Sequence, residues 1–400
     1  MKPKSLLIII LSFIICLSCQ KEIDTSNKNN WEVLEDTTGL ANVTAGMIRL
    51  VAQFQDITQF NEYFQKNISV YKITYHTTYH DSDIIVSGLI SFPENITEPA
   101  PVLIVQNGLF YESSRAPSRF SLPDNYIGYE FIASYGYIVF LPDLIGFGDS
   151  EDLIHPLYNY QYSASVVIDM IKAGREFIEC MDIPSEDKYY LCGYSLGSYV
   201  STAAQKGIEE VGSIDIDIMG NAVGAGGFNI YGVMKSLLEN DSYDSPADIS
   251  MVFMAYNESN QWDRPLSDFF KEGYAAVIPK LFTGDFSREE INILLPVEID
   301  SLLNPDILID LSSGTESQMT VAFTENSVHD WKPIAPIRIY HGKNDERIPY
   351  EDSWEAYQTM KANGAGNVKF FEIEGTDHFN AVFDFMGLVL PWFDSLRYDL

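Results

Sequence analysis

The hydrophobic positions of this chain change period several times, and each change marks an element. Between residues 44 and 64, Met47, Leu50, Val51 and Phe54 recur at the i, i+3, i+4, i+7 spacing of a helix with one buried face. Residues 69–78 and 84–92 then read as two strands around the turn signal His80, Asp81, Ser82, Asp83, an antiparallel pair. Residues 101–106 and 137–141 are continuous apolar runs, the pattern of parallel strands covered on both faces, and residues 188–192 are strand-like. A helix over 160–178 places Val167, Met170, Ile171, Gly174 and Phe177 on one side. Further strands are predicted at 213–223, 336–341 and 368–373, with a helix near 354–361 between the last two. The cluster Gly224, Gly226, Gly227 lacks dinucleotide-binding spacing, because position 229 is Asn229, and reads as a close turn. From 228 to about 331 the pattern gives way to short amphipathic helices broken by Pro246, Pro265, Pro279, Pro296 and Pro305. Phe269, Phe270, Tyr274 and Phe282 read there as exposed aromatics. The alternation elsewhere is α/β, a mostly parallel central sheet with helices on both faces, and the 228–331 segment reads as a helical cap inserted before strand 336–341.

Composition narrows the classes of function. Four hundred residues, 46% of them hydrophobic and 13% aromatic, suffice for one large α/β domain with an insertion. A net charge of −32 argues against nucleic acid and polyanionic substrates, since phosphate binding needs clustered Lys and Arg. Lys2 and Lys4 precede an apolar run over residues 6–17, too short for a membrane span and suited to an export signal. Cys16, Leu17, Ser18, Cys19 resembles a bacterial lipoprotein processing site, which implies residues 1–18 as a signal peptide, a lipidated Cys19 and a flexible polar tether over 19–43 before a catalytic domain over 44–400. Cys16 stands where such sites usually carry leucine, which leaves ordinary signal peptidase cleavage open. Gln20, Lys21, Glu22 resembles the signals that send some lipoproteins to the cell exterior. Cys180 and Cys192 remain, as a disulfide or as two buried thiols. No spacing suggests a metal site, and the chemistry described next needs no cofactor.

Residues 193–197, Gly193, Tyr194, Ser195, Leu196 and Gly197, follow a strand-like run and precede a small-residue helix. Such a strand-turn-helix exposes the serine hydroxyl at a helix N-terminus, and the flanking glycines leave room for the tight turn. A serine hydroxyl needs an imidazole to accept its proton and a carboxylate to orient that imidazole. Of the histidines after Ser195, His341 ends a strand, His329 precedes one, and His378 sits in a loop between the last strand and the last helix. His378 is therefore the candidate base. Asp345 follows strand 336–341 and is the candidate acid, with Glu346 and Asp377 as competitors. The oxyanion is expected to face the N–H of Leu196 and a second donor on the loop Gln106, Asn107, Gly108, Leu109, Phe110, where Leu109 is the candidate.

The elbow, the segment Pro142, Asp143, Gly146, Phe147, Gly148, Ser150, and Asp345 with His378 resemble the α/β-hydrolase superfamily over about residues 66–398. Gly-Tyr-Ser-x-Gly, His155 with Pro156, the helix carrying Ser165, Val166 and Asp169, and the cap are similar to secretory lipases and related bacterial esterases. Many of those relatives carry His-Gly where this chain has Asn107, Gly108. The resemblance implies an α/β-hydrolase fold and an exported serine esterase or lipase. It would act through an acyl-enzyme on a small-molecule or lipid-like neutral ester, held to a bacterial membrane through Cys19. A serine peptidase of the same fold and a non-catalytic binding lipoprotein on that scaffold are the rival readings.

Overall fold

The structure, a computed structural model, describes residues 31–212, 215–313 and 317–398. The leader and Cys19 lie outside the described residues. Nine strands form one sheet in the order β1-β2-β3-β5-β4-β6-β7-β8-β9. β1 (Leu34–Val43), β2 (Ile68–Tyr79) and β3 (Ser82–Pro93) pair antiparallel, and β3 pairs antiparallel with β5 (Ile138–Pro142). From β5 onward all neighbours are parallel: β4 (Ala100–Gln106), β6 (Ser185–Tyr194), β7 (Ile218–Gly224), β8 (Ile337–Gly342) and β9 (Val368–Ile373). Every residue of β4 and β5 is buried, as continuous apolar runs in a doubly covered sheet require.

The helices are α1 (Ala45–Phe54), α2 (Tyr160–Cys180), α3 (Leu196–Val211), α4 (Ile230–Leu238), α5 (Pro246–Ser259), α6 (Glu272–Ala275), α7 (Arg288–Leu294), α8 (Ile299–Leu302), α9 (Pro305–Ser313), α10 (Gln318–Glu325), α11 (Tyr350–Ala362) and α12 (Ala381–Arg397). Side-chain caps fix several starts: Thr44 accepts from the Met47 N–H, and Asn159 from the Tyr162 N–H. Two apolar cores result, one on each face of the sheet. One gathers α2, α3, α11 and the inserted helices, the other α1 and α12.

Three expectations change. Residues 34–43, placed in a flexible tether, form strand β1 along the edge of the sheet. Only Leu34 and Val43 of that strand are buried, so it carries the polar sequence of a solvated edge and is held by its ladder with β2. The buried face of α1 is Ala45, Ile48, Val51 and Ala52, and Phe54 lies exposed at its end. Phe269 and Phe270, read as exposed, are fully buried against Phe253 within the insertion between β7 and β8; Tyr274 and Phe282 are half-buried. Aromatics between prolines give no period from which a face can be read, and packing of the short helices on one another decides it.

Candidate active site

The carboxyl ends of the parallel strands deliver the candidate residues to one edge of the sheet, where ligands bind in open α/β folds. β4 ends at Gln106 before the loop carrying Gly108 and Leu109, β6 runs into Ser195, β8 precedes Asp345, and β9 precedes His378.

Ser195 sits at φ 57°, ψ −127°, a strained conformation for any residue with a side chain. Its N–H donates to the Gly224 carbonyl at 2.8 Å, which ties the turn to the end of β7. The flanking glycines are there for space. A β-carbon on Gly193 would lie 2.0 Å from the Gly197 carbonyl oxygen, and one on Gly197 would lie 2.1 Å from the Gln106 carbonyl oxygen. Beneath the turn, fully buried Ser198 accepts from the Gly224 N–H at 2.7 Å, and its hydroxyl faces the Gly193 and Gly224 carbonyls at 2.8 and 2.6 Å.

His378 lies between Ser195 and Asp345. Its Nε2 is 3.0 Å from Ser195 Oγ and its Nδ1 2.7 Å from Asp345 Oδ2. A carboxylate only accepts, so Nδ1 carries the proton and the Nε2 lone pair faces the hydroxyl. The Asp345 side chain is completely shielded from solvent. Its Oδ1 accepts from the N–H groups of Arg347 and Ile348, both at 2.9 Å. Burial pushes this carboxyl up, but hydrogen bonds and charge from His341 and His378 outweigh it and hold the group well below the ordinary carboxylate range.

A second histidine shares that carboxylate. His341 Nε2 lies 3.3 Å from Asp345 Oδ2 and 3.2 Å from the Ile348 carbonyl, while its Nδ1 is 2.7 Å from Ser353 Oγ. Both neighbours of Nε2 are acceptors, so Nε2 is the donor. His378 is backed by Tyr194, whose hydroxyl donates to the His378 carbonyl at 2.7 Å. The competitors take other places. Asp377 accepts from Asn380 at the exposed start of α12, Glu346 faces the His378 N–H at 3.4 Å, and His329 is half-buried at the exit of the insertion. His155 holds the loop after β5 through the Ile145 carbonyl at 2.7 Å, and burial pushes its imidazole down to about 4. Cys180 and Cys192 are not joined in a disulfide, and Cys192 is buried in β6.

The profile of the secretory lipase family matches residues 129–252 and 311–399, more than half of the chain. The chain belongs to the secretory lipase family. Lipase 6 of Candida albicans is 25% identical over 284 residues, covering 65% of this chain and 55% of that protein. Lipase 2 of the same organism is 24% identical over 246 residues, covering 59% and 51%. The chain thus spans about half the length of the curated relatives it matches. Among solved structures, a Legionella pneumophila protein superposes with a TM-score of 0.83 at 22% identity, covering 92% of this chain and 98% of that one. The rice cell wall degrading esterase LipA from Xanthomonas oryzae gives 0.75 at 21% identity, covering 92% and 97%. These likenesses establish the α/β-hydrolase fold.

In this member of the secretory lipase family, Ser195 opens onto two spaces. The larger, about 380 Å³, is walled by Phe60, Tyr63, Ile132, Phe379, Phe383 and Met386, with Asn107, Gly108 and Leu109 beside the serine. Its apolar walls come from the segment after α1, the 127–132 stretch and α12, not from the aromatics singled out within the insertion. The smaller, about 50 Å³, lies toward the insertion and is lined by Tyr158, Tyr243, Asp248, Arg288 and Arg347. Sequence reasoning missed Tyr194, Asp248, Arg288 and the cavity walls, and it weighed His341 as a strand-end residue without its tie to Asp345. Tyr194 and His341 stood inside segments already singled out; the others come from positions remote in sequence that carry no motif. Among the described residues, no group of three or more His, Cys, Asp or Glu side chains is placed to hold a metal ion.

Proposed function

We propose that this chain is an exported serine hydrolase that cleaves carboxylic esters. The observation that carries the proposal is the unbroken relay from Ser195 through His378 to a buried Asp345, opening onto an apolar cavity of about 380 Å³. Ser195 Oγ attacks the ester carbonyl as His378 Nε2 takes its proton; Asp345 holds the ring and stabilises the imidazolium. The same proton then passes to the departing alkoxide, leaving an acyl group on Ser195. Water, deprotonated by His378, releases the acid and restores the hydroxyl.

The oxyanion is assigned to the N–H groups of Leu196 and Leu109. Leu196 opens α3, and first-turn N–H groups have no partner within a helix. Leu109 borders the cavity with Ser195. The large cavity is assigned to an apolar acyl group and the small one to the alcohol, with neutral esters favoured by the acidic surface. Cys19 is assigned as the lipidated residue that tethers the enzyme to a bacterial membrane.

The test is hydrolysis of p-nitrophenyl esters from acetyl to long acyl chains by the protein and by its Ser195→Ala variant. Serine-dependent turnover that favours medium or long acyl chains is expected. Turnover of peptide amides in place of esters, or rates equal to those of Ser195→Ala, would overturn the proposal.

A further inference from the structure

The loop after β4 is not self-supporting. Residues 107–112 form no helix or strand, and the segment is instead sewn to the insertion. Arg288 Nη2 donates to the Leu109 carbonyl at 3.0 Å, and the Ser113 N–H donates to the Gly284 carbonyl at 2.9 Å. The Tyr111 hydroxyl donates to Asp248 Oδ1 at 2.5 Å, its ring rests 5.5 Å from that of Phe282, and the Arg288 guanidinium lies 5.5 Å over it.

Arg288 is itself held at both ends. It is the first residue of α7, where Ser287 and Glu290 form a reciprocal capping box. At its far end, Nε lies 3.3 Å from Asp248 Oδ1, and both side chains are more than four-fifths buried. The second oxygen of Asp248 pairs with Arg347, whose backbone N–H donates to Asp345. One carboxylate on α5 thus joins the loop carrying Leu109 to the loop carrying Asp345.

We propose that Arg288, seated by Asp248, is a positioning residue for the oxyanion hole, fixing through the Leu109 carbonyl the backbone whose N–H receives the oxyanion. The inference rests on the ester-hydrolase reading and extends it, giving the insertion a part in the chemistry as well as in covering the site. With the Leu109 carbonyl clamped and Tyr111 anchored two residues on, the loop is ordered before substrate arrives. Donors that need no reorganisation when charge develops stabilise the transition state most. Arg288 also borders the cavity, so contact with substrate is the alternative that the experiment must separate from positioning.

The experiment compares wild type, Arg288→Met and Tyr111→Phe with one p-nitrophenyl ester. It also compares their binding of an alkyl trifluoromethyl ketone, which adds to the serine to form an oxyanion, with that of the corresponding carbinol, which cannot. Arg288→Met is expected to lower kcat by about 10- to 100-fold, less than the roughly 100- to 1,000-fold that loss of an oxyanion donor itself costs, with KM within about threefold. Ketone affinity should fall by the same factor, and carbinol affinity should stay unchanged. Tyr111→Phe, which removes one hydroxyl and leaves the arginine, should show the same split at roughly threefold. A rise in KM at constant kcat, or equal losses for ketone and carbinol, would overturn the positioning role. Absence of serine-dependent turnover in wild type would overturn the ester-hydrolase reading and this one with it, whereas turnover with an unmoved ketone-to-carbinol ratio in both variants overturns this one alone.

Discussion

Gly193→Ala adds one methyl group at the most crowded point of the serine turn, and its effect follows from the backbone around it. The new carbon would lie 2.0 Å from the Gly197 carbonyl oxygen, 2.2 Å from the carbonyl carbon and 2.8 Å from the Ser198 nitrogen. Carbon and oxygen rest at roughly 3.3 Å or more, so the two segments must separate by about 1.3 Å. None of the three atoms belongs to a side chain that could rotate away. The strain must therefore move the first turn of α3, which carries Ser195 and Leu196. Overpacking of this kind costs about 1–3 kcal/mol, a loss of several degrees in Tm for a domain of this size. A displacement near 1 Å at reacting groups costs on the order of 100-fold in rate. The expected signature is a dissociation: kcat/KM for a p-nitrophenyl ester falls by roughly two orders of magnitude while the melting temperature falls by only a few degrees. Gly273→Ala is the control, because nothing lies within 4 Å of a β-carbon there, and it should change neither quantity. A Gly193→Ala enzyme with wild-type kcat/KM, or one inactive only because it is unfolded at the assay temperature, would refute the reasoning.

Two further outcomes follow from buried titratable groups. Burial pushes Glu130 from an ordinary 4.5 up to about 7, although its carboxylate accepts from the Ile127 and Gly128 N–H groups at 3.1 and 2.8 Å. Between those values the folded chain holds a proton the unfolded chain has lost, so the protonated group's contribution is complete below about pH 4.5 and is lost as pH rises through 7. In urea titrations, Glu130→Gln should therefore gain stability relative to wild type between pH 5 and pH 8, by on the order of 3 kcal/mol; parallel curves would refute this. His341→Ala removes one donor from Asp345 and should lower kcat about tenfold, while His341→Gln, which keeps an N–H near the same point, should recover most of it; equal activity in the two variants would show that the donor is immaterial.

The parallel half of the sheet was legible in the sequence because strands buried on both faces leave continuous apolar runs, as in β4 and β5. The edge strand β1 was not, since a solvated edge takes polar residues and its stability lies in a ladder to β2 that no local pattern records. The serine turn announced itself because its geometry restricts residue type at three consecutive odd positions, 193, 195 and 197. The chain order of nucleophile, acid and base then singled out three side chains that lie within hydrogen-bond reach of one another. The walls of the large cavity could not be read in this way. Phe60 and Met386 meet only because α12 and the segment after α1 pack on the same face, and an apolar residue lining a cavity has the same signature as one filling a core.

The relay joins residues 183 positions apart, and Asp345 joins it from the loop after β8, late in the chain. At synthesis rates of about 5–20 residues per second, roughly 10–40 seconds separate the appearance of Ser195 from that of His378. Throughout that interval the nascent protein holds a serine with nothing to take its proton. The arrangement that would arm Ser195 therefore exists only once nearly the whole chain has been made.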